Sequence, residues 1–101
     1  MTFGVYETET LIRLRKKMEK HEIEWMEKVK REIKENPFTG KPLQVPWFRE
    51  KKFEGKRLYY LIYENLGKIL LVRFAGKKEQ QEIINFILKN KKEFEKEMAK
   101  I

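Results

Sequence analysis

The sequence has no cysteine, no serine and no aspartate, and its one histidine is His21. Without cysteine there are no disulfides and no thiolate metal sites. Without serine and aspartate, serine-hydrolase triads, aspartyl nucleophiles and Asp-bridged metal clusters are excluded. One histidine is too few for a His-rich metal centre. Any catalysis must use Glu, Lys, Arg, Tyr, Thr or His21. Long apolar runs are also missing, since none approaches the roughly 20 residues of a membrane span. The N-terminus carries no charged-then-apolar leader. The chain therefore reads as cytoplasmic, with no membrane partner.

What is present is enough for one domain over residues 1–101. Hydrophobic residues make up 41% and aromatics 13%, which supplies a modest core and argues against disorder even with 40% charged residues. Heavy use of Lys and Glu without Cys is a compositional pointer to a thermophile.

The net charge of +8 is unevenly placed. Residues 1–35 hold nine Lys/Arg against eight Glu, and residues 79–101 hold five against five. Residues 36–78 hold ten against three, so nearly all the excess lies in the middle. A localised basic patch attracts phosphates and releases their counterions, which points to a polyanion, RNA above all. The plain alternative is a solvated, solubilising face.

Periodicity gives the order of elements. Residues 2–7 alternate at Phe3 and Val5 and read as a strand. Thr8 or Thr10 can cap a helix carrying Leu11, Leu14 and Met18. The pattern slips near Lys20–Glu22, and a second helix carries Met26, Val29 and Ile33 until Asn36-Pro37 stops it. Residues 36–46, with all three prolines and Gly40, form an ordered crossing loop. Strands follow at about 47–53, 57–64 and 68–75, joined by turns at Glu54-Gly55-Lys56 and Asn65-Leu66-Gly67. From Glu79 the helical period returns, with Ile83 or Ile84, Ile87, Phe94, Met98 and Ile101 on one stripe. A single helix of about 22 residues would be roughly 33 Å long. That outruns a small sheet, so its second half is expected to project or to pack on a partner chain. The fold class is α+β: a small antiparallel sheet with two N-terminal helices on one face, the other face open and bearing basic and tyrosine side chains, and a C-terminal helix.

Three stretches, in order and spacing, resemble the RelE/ParE/HigB toxin superfamily of type II toxin–antitoxin pairs. They are NPFTGKPL (residues 36–43), GKRLYYLIY (residues 55–63) and FAGKKEQQEI (residues 74–83). The resemblance implies a RelE-like or HigB-like domain over the whole chain. It implies a ribosome-dependent mRNA endoribonuclease that needs no metal or cofactor and uses the RNA's own 2′-hydroxyl as nucleophile. It implies mRNA on the ribosome and a cognate antitoxin as partners. A homodimer through the C-terminal helix is a further expectation, drawn from that helix's apolar stripe.

Carried over by position, Arg57 matches the family's strand arginine, a phosphate contact. Lys78 matches the basic residue after the third strand, usually arginine, and Lys77 adjoins it. These three are the expected catalytic residues. Arg49, Lys51, Lys52, Tyr59, Tyr63 and Arg73 are the expected RNA contacts. The departures are as informative. With Gly55 aligned, the RelE-type lysine pair falls on Phe48 and Glu50, and the C-terminal catalytic tyrosine falls near Ile84. A ParE-like toxin that binds a protein target, or an RNA-binding module without chemistry, therefore stays open beside the nuclease.

Each residue also has a plainer reading. Arg57 could pair with Glu50 or Glu64. Lys77 and Lys78 could close a turn, and Arg49, Lys51 and Lys52 could serve solubility. Tyr59 and Tyr63 could pack in the sheet, and His21 fits a capping role. Glu50 and Glu54 are the carboxylates of the basic hairpin that could act as a general base.

Overall fold

The computed structural model describes residues 2–101. Strand β1 (Gly4–Glu7) ends where Thr8 caps helix α1 (Glu9–Leu14), its hydroxyl accepting from the Leu11 amide. That hydroxyl also donates to the Val72 carbonyl at 2.8 Å, fixing the helix start to the sheet. A 3-10 turn (Arg15–Lys17) and an extended Met18 separate α1 from α2 (Lys20–Glu35), as the slip in periodicity requires. The Glu22 carboxylate accepts from the Glu19 amide in the first turn of α2, satisfying one orphan donor. The helix stops before Pro37.

The crossing loop holds a short strand, β2 (Lys41–Leu43), absent from the sequence reading. Pro42 fits there because β2 is the sheet's outer edge. Strands β3 (Val45–Phe53), β4 (Lys56–Tyr63) and β5 (Lys68–Gly76) form the meander. The sheet runs β1-β5-β4-β3-β2. It is antiparallel from β2 to β5, while β1 lies parallel to β5. The long helical crossover between them is what a parallel pair needs.

Each sheet face has its own core. Leu58, Tyr60, Ile62, Ile69, Leu71 and Phe74 pack against Leu11, Met26, Val29 and Ile33 of α1 and α2. Each such side chain contributes about 1.5–3 kcal/mol on burial. The second face was expected to lie open, and it does not. Helices α3 (Gln80–Lys89) and α4 (Lys91–Lys100) cover it, burying Phe48, Tyr59, Leu61, Leu70 and Val72 under Ile83, Ile84, Ile87 and Met98.

The single long helix is also corrected. The chain leaves helical geometry at Asn90 (φ −103°, ψ 16°), and α4 folds back over the sheet instead of projecting. Asparagine, a weak helix former, spends its side-chain amide on the Phe86 carbonyl. Lys68 then fastens the returning end by donating to the Met98 and Ile101 carbonyls. Ile87 and Met98, expected on a partner-facing stripe, are core residues, and Ile101 stays exposed.

Candidate active site

The alternation of β3 decides which of its charges meet. Phe48, Glu50 and Lys52 share one face, and Arg49 and Lys51 the other. Register places Glu50 opposite Tyr59, and Tyr59 opposite Arg73. The next row is Lys52, Arg57 and Ala75. Above these rows the chain leaves β5 through a 3-10 turn (Lys77–Glu79) into α3, which brings Gln80 over the sheet. Glu50, Lys52, Arg57, Tyr59, Arg73 and Gln80 thus gather at the hairpin end of the sheet, with exposed Lys77 and Lys78 on its rim.

The centre of this cluster is a buried charge pair. Glu50 is 2% exposed and the Arg57 side chain 11%. Arg57 Nε lies 3.2 Å from Glu50 Oε2, close enough for an ion pair. It is misaligned for a hydrogen bond, so this N–H is buried without a partner. The same carboxylate oxygen accepts from Gln80 Nε2 at 3.1 Å. The Tyr59 hydroxyl, fully buried beside the pair, also lacks a partner. Burial, reinforced by the Glu50 charge, raises its pKa, so Tyr59 stays a neutral donor. Buried polar atoms are rarely left unpaired, and the Tyr63 hydroxyl at the far end of β4 is a third such group. Arg73 is more loosely held, 3.8 Å from Glu79.

The other expected contacts lie elsewhere. Arg49 is committed to the crossing loop, donating to the carbonyls of Pro46, Phe38 and Gly40. Lys51 faces α2 and pairs with Glu32 at 3.3 Å. A slip of one residue changes face, and these two are on the wrong one. Tyr59 offers no ring face to a base, because it is fully buried. Tyr63 is six residues from Arg57, about 20 Å along β4. It lies at the opposite end beside Trp47, and burial, with Glu95 and Glu97 nearby, pushes its hydroxyl up to about 12. Ile84 is core. His21 lies on the surface between Glu19 and Glu54, 3.3 Å from each. Gln80 was not foreseen as a site residue, although it is the glutamine that follows the lysine pair in the FAGKKEQQEI stretch.

Chemically, the cluster combines a carboxylate with cations and two under-used donors. Among the described residues no group of three or more His, Cys, Asp or Glu could hold a metal. No helix among them is long and apolar enough to cross a membrane.

No family model matches the sequence, and no curated protein matches it. Solved structures do. The chain is similar to free Escherichia coli toxin RelE, in a double arginine-to-alanine variant, at TM-score 0.74 and 20% identity, covering 89% of this chain and 98% of that one. It is also similar to the same variant in complex with a peptide of the antitoxin RelB. There the TM-score is 0.69 and the identity 18%, over 82% of this chain and 95% of that one. At that identity the likeness speaks for the architecture alone: the chain has a RelE-like fold.

Proposed function

We propose that this protein is a RelE-type toxin that binds RNA at the hairpin end of its sheet and cleaves it by metal-independent acid–base chemistry. The carrying observation is the row of Glu50, Tyr59 and Arg73 beside Lys52 and Arg57, on a RelE-like fold. In this reading Glu50 takes the proton of a 2′-hydroxyl as its oxygen attacks the adjacent phosphorus. Arg57 and Arg73, with Lys52, stabilise the charge that builds on the phosphoryl oxygens. Lys77 or Lys78 gives a proton to the departing 5′-oxygen. The products are a 2′,3′-cyclic phosphate and a 5′-hydroxyl end. Substrate entry requires Gln80 to release Glu50 and the buried pair to open to solvent. Ribosome-bound mRNA is the proposed substrate and an antitoxin the proposed inhibitor, the latter supported by the RelB peptide bound to RelE.

One observation favours a second reading. Glu50 neutralises Arg57 while Gln80 covers the pair, an arrangement that suits a toxin acting on a protein target without cleaving RNA. Mapping mRNA 5′ ends after induced expression separates the two. The nuclease reading predicts new 5′-hydroxyl ends within translated regions, lost in Lys77→Ala/Lys78→Ala and kept in Lys78→Arg. Growth arrest with no new ends would favour the protein-target reading.

A further inference from the structure

The two faces of the sheet's hairpin end are both basic, and the active-site proposal uses only one. Lys56 and Arg57 are neighbours on β4 and point to opposite sides. Arg57 faces Glu50, whereas Lys56 lies on the α1 side, its ammonium 5.5 Å from the centre of the Phe74 ring. There a cleft of about 470 Å³ opens between α1 and the sheet. Arg13, Lys17, Lys56 and Arg73 line it, over an apolar floor that includes Leu14 and Phe74. The one carboxylate on its wall is Glu79.

The cleft exists because β1 is short. Register pairs β1 with β5 only as far as Leu71, so the end of β5 has a strand neighbour on one side alone. Three of its four cations are weakly committed. Arg13 pairs with Glu9 in a surface contact with both side chains over 70% exposed, the kind that contributes little. Arg73 stands 3.8 Å from Glu79, and Lys17 has no carboxylate within 4 Å among the described residues. Lys56 is the exception, bonded to Glu22 at 2.6 Å. Convergent cations over an apolar floor suit a ligand with an anionic group and a flat apolar body. The volume lies in the range of about 300–1,000 Å³ typical of small-ligand sites.

We infer that this cleft is a nucleotide subsite, taking a phosphate between Arg13, Lys17 and Arg73 and a base against Leu14. It rests on the RNA reading above and deepens it: the strand engaged at Glu50 and Arg57 continues round the end of the sheet into the cleft. Arg73 borders this cleft and also the groove beside α3. Gly76, on the route between them, borders open space, since an added Cβ would meet nothing within 4 Å.

The test is amide NMR of the full chain titrated with a single-stranded RNA hexamer, a nucleoside 5′-monophosphate and inorganic phosphate. The inference predicts saturable shifts at Thr10–Lys17 and Arg73–Ala75 with the hexamer and, more weakly, with the monophosphate. It also predicts that Arg13→Ala/Lys17→Ala removes these shifts without lowering the melting temperature. The same variant should flatten the salt dependence of hexamer affinity by about 0.7 in log–log slope, the value for one phosphate contact on a single strand. Tighter binding of the monophosphate than of the hexamer would make the cleft a free-nucleotide site and overturn its place on the strand's path. Hexamer binding confined to residues near Lys52 and Lys78, with the α1 amides silent, would overturn the cleft and leave the RNA reading standing. Hexamer binding nowhere would overturn both.

Discussion

Arg57 shows how burial changes what a substitution reports. On an open face Arg57→Ala would cost stability almost nothing. Here it strands a carboxylate that is 2% exposed. Breaking a buried pair from one side costs about 3–5 kcal/mol. Arg57→Ala should therefore lower unfolding free energy by about 3 kcal/mol in urea titrations, and adding Glu50→Gln should restore part of it. Equal stability of wild type and Arg57→Ala would show the pair to be solvated. Glu7 gives a residue-scale prediction for pH. Burial pushes its carboxyl up, but hydrogen bonds from Arg15 at 2.6 and 2.7 Å and from Lys30 at 2.8 Å outweigh it, leaving the pKa below 4.5. A depressed carboxylate stabilises the fold above its unfolded pKa and loses that contribution as pH falls through its folded value. The stability gap between wild type and Glu7→Gln should thus be constant above about pH 5.5 and shrink below 4.5. A gap independent of pH down to 2 would contradict the assignment.

At the scale of elements, the crossing loop is built around Tyr60 and Gly40. The Tyr60 hydroxyl donates to the Pro37 carbonyl at 2.6 Å and accepts from the Gly40 amide at 3.0 Å. A Cβ on Gly40 would collide with that hydroxyl and stand 2.8 Å from the Glu50 carbonyl oxygen. Gly40→Ala should cost about 1–3 kcal/mol by overpacking, read as a drop in melting temperature, and Tyr60→Phe should relieve part of the clash while losing both hydrogen bonds. An unchanged Tm in Gly40→Ala would mean the loop is looser than its bonds imply. Truncation after Lys89 removes Met98 and Phe94 from the second core. It should lower the melting temperature sharply, whereas a dispensable appendage would leave it unchanged.

Element order was legible in the sequence because periodicity and turn chemistry are local. Thr8, Asn36-Pro37, Gly55 and Gly67 punctuate the chain where the elements change. The break at Asn90 was not legible, because Ile87 and Met98 continue one stripe whether the helix runs on or folds back. Nor was the covered second face, which α3 reaches before that break and α4 completes by folding back. The geometry of the candidate site was half legible. Arg57, Lys52, Arg73, Lys77 and Lys78 do converge, but Arg49 and Lys51 fall on the wrong side of the pleat. The Gln80 contact depends on a tertiary packing that local sequence does not encode.

For the whole molecule, charge-balanced helices flank a basic middle, and the fold brings much of that charge to one end of the sheet. Affinity for single-stranded RNA should therefore fall steeply with salt as condensed counterions are released. An affinity unchanged between low and moderate salt would point to a surface that does not bind phosphates. The central claim is that the Glu50 carboxylate performs chemistry on RNA at this end. It is tested most directly by single-turnover cleavage of ribosome-bound mRNA at saturating protein, comparing wild type with Glu50→Gln. A general base contributes about 10²–10⁴ in rate, so Glu50→Gln should cut slower by that factor while RNA affinity stays within a few-fold of wild type. Cleavage by Glu50→Gln at the wild-type rate, or none by wild type, would contradict the account.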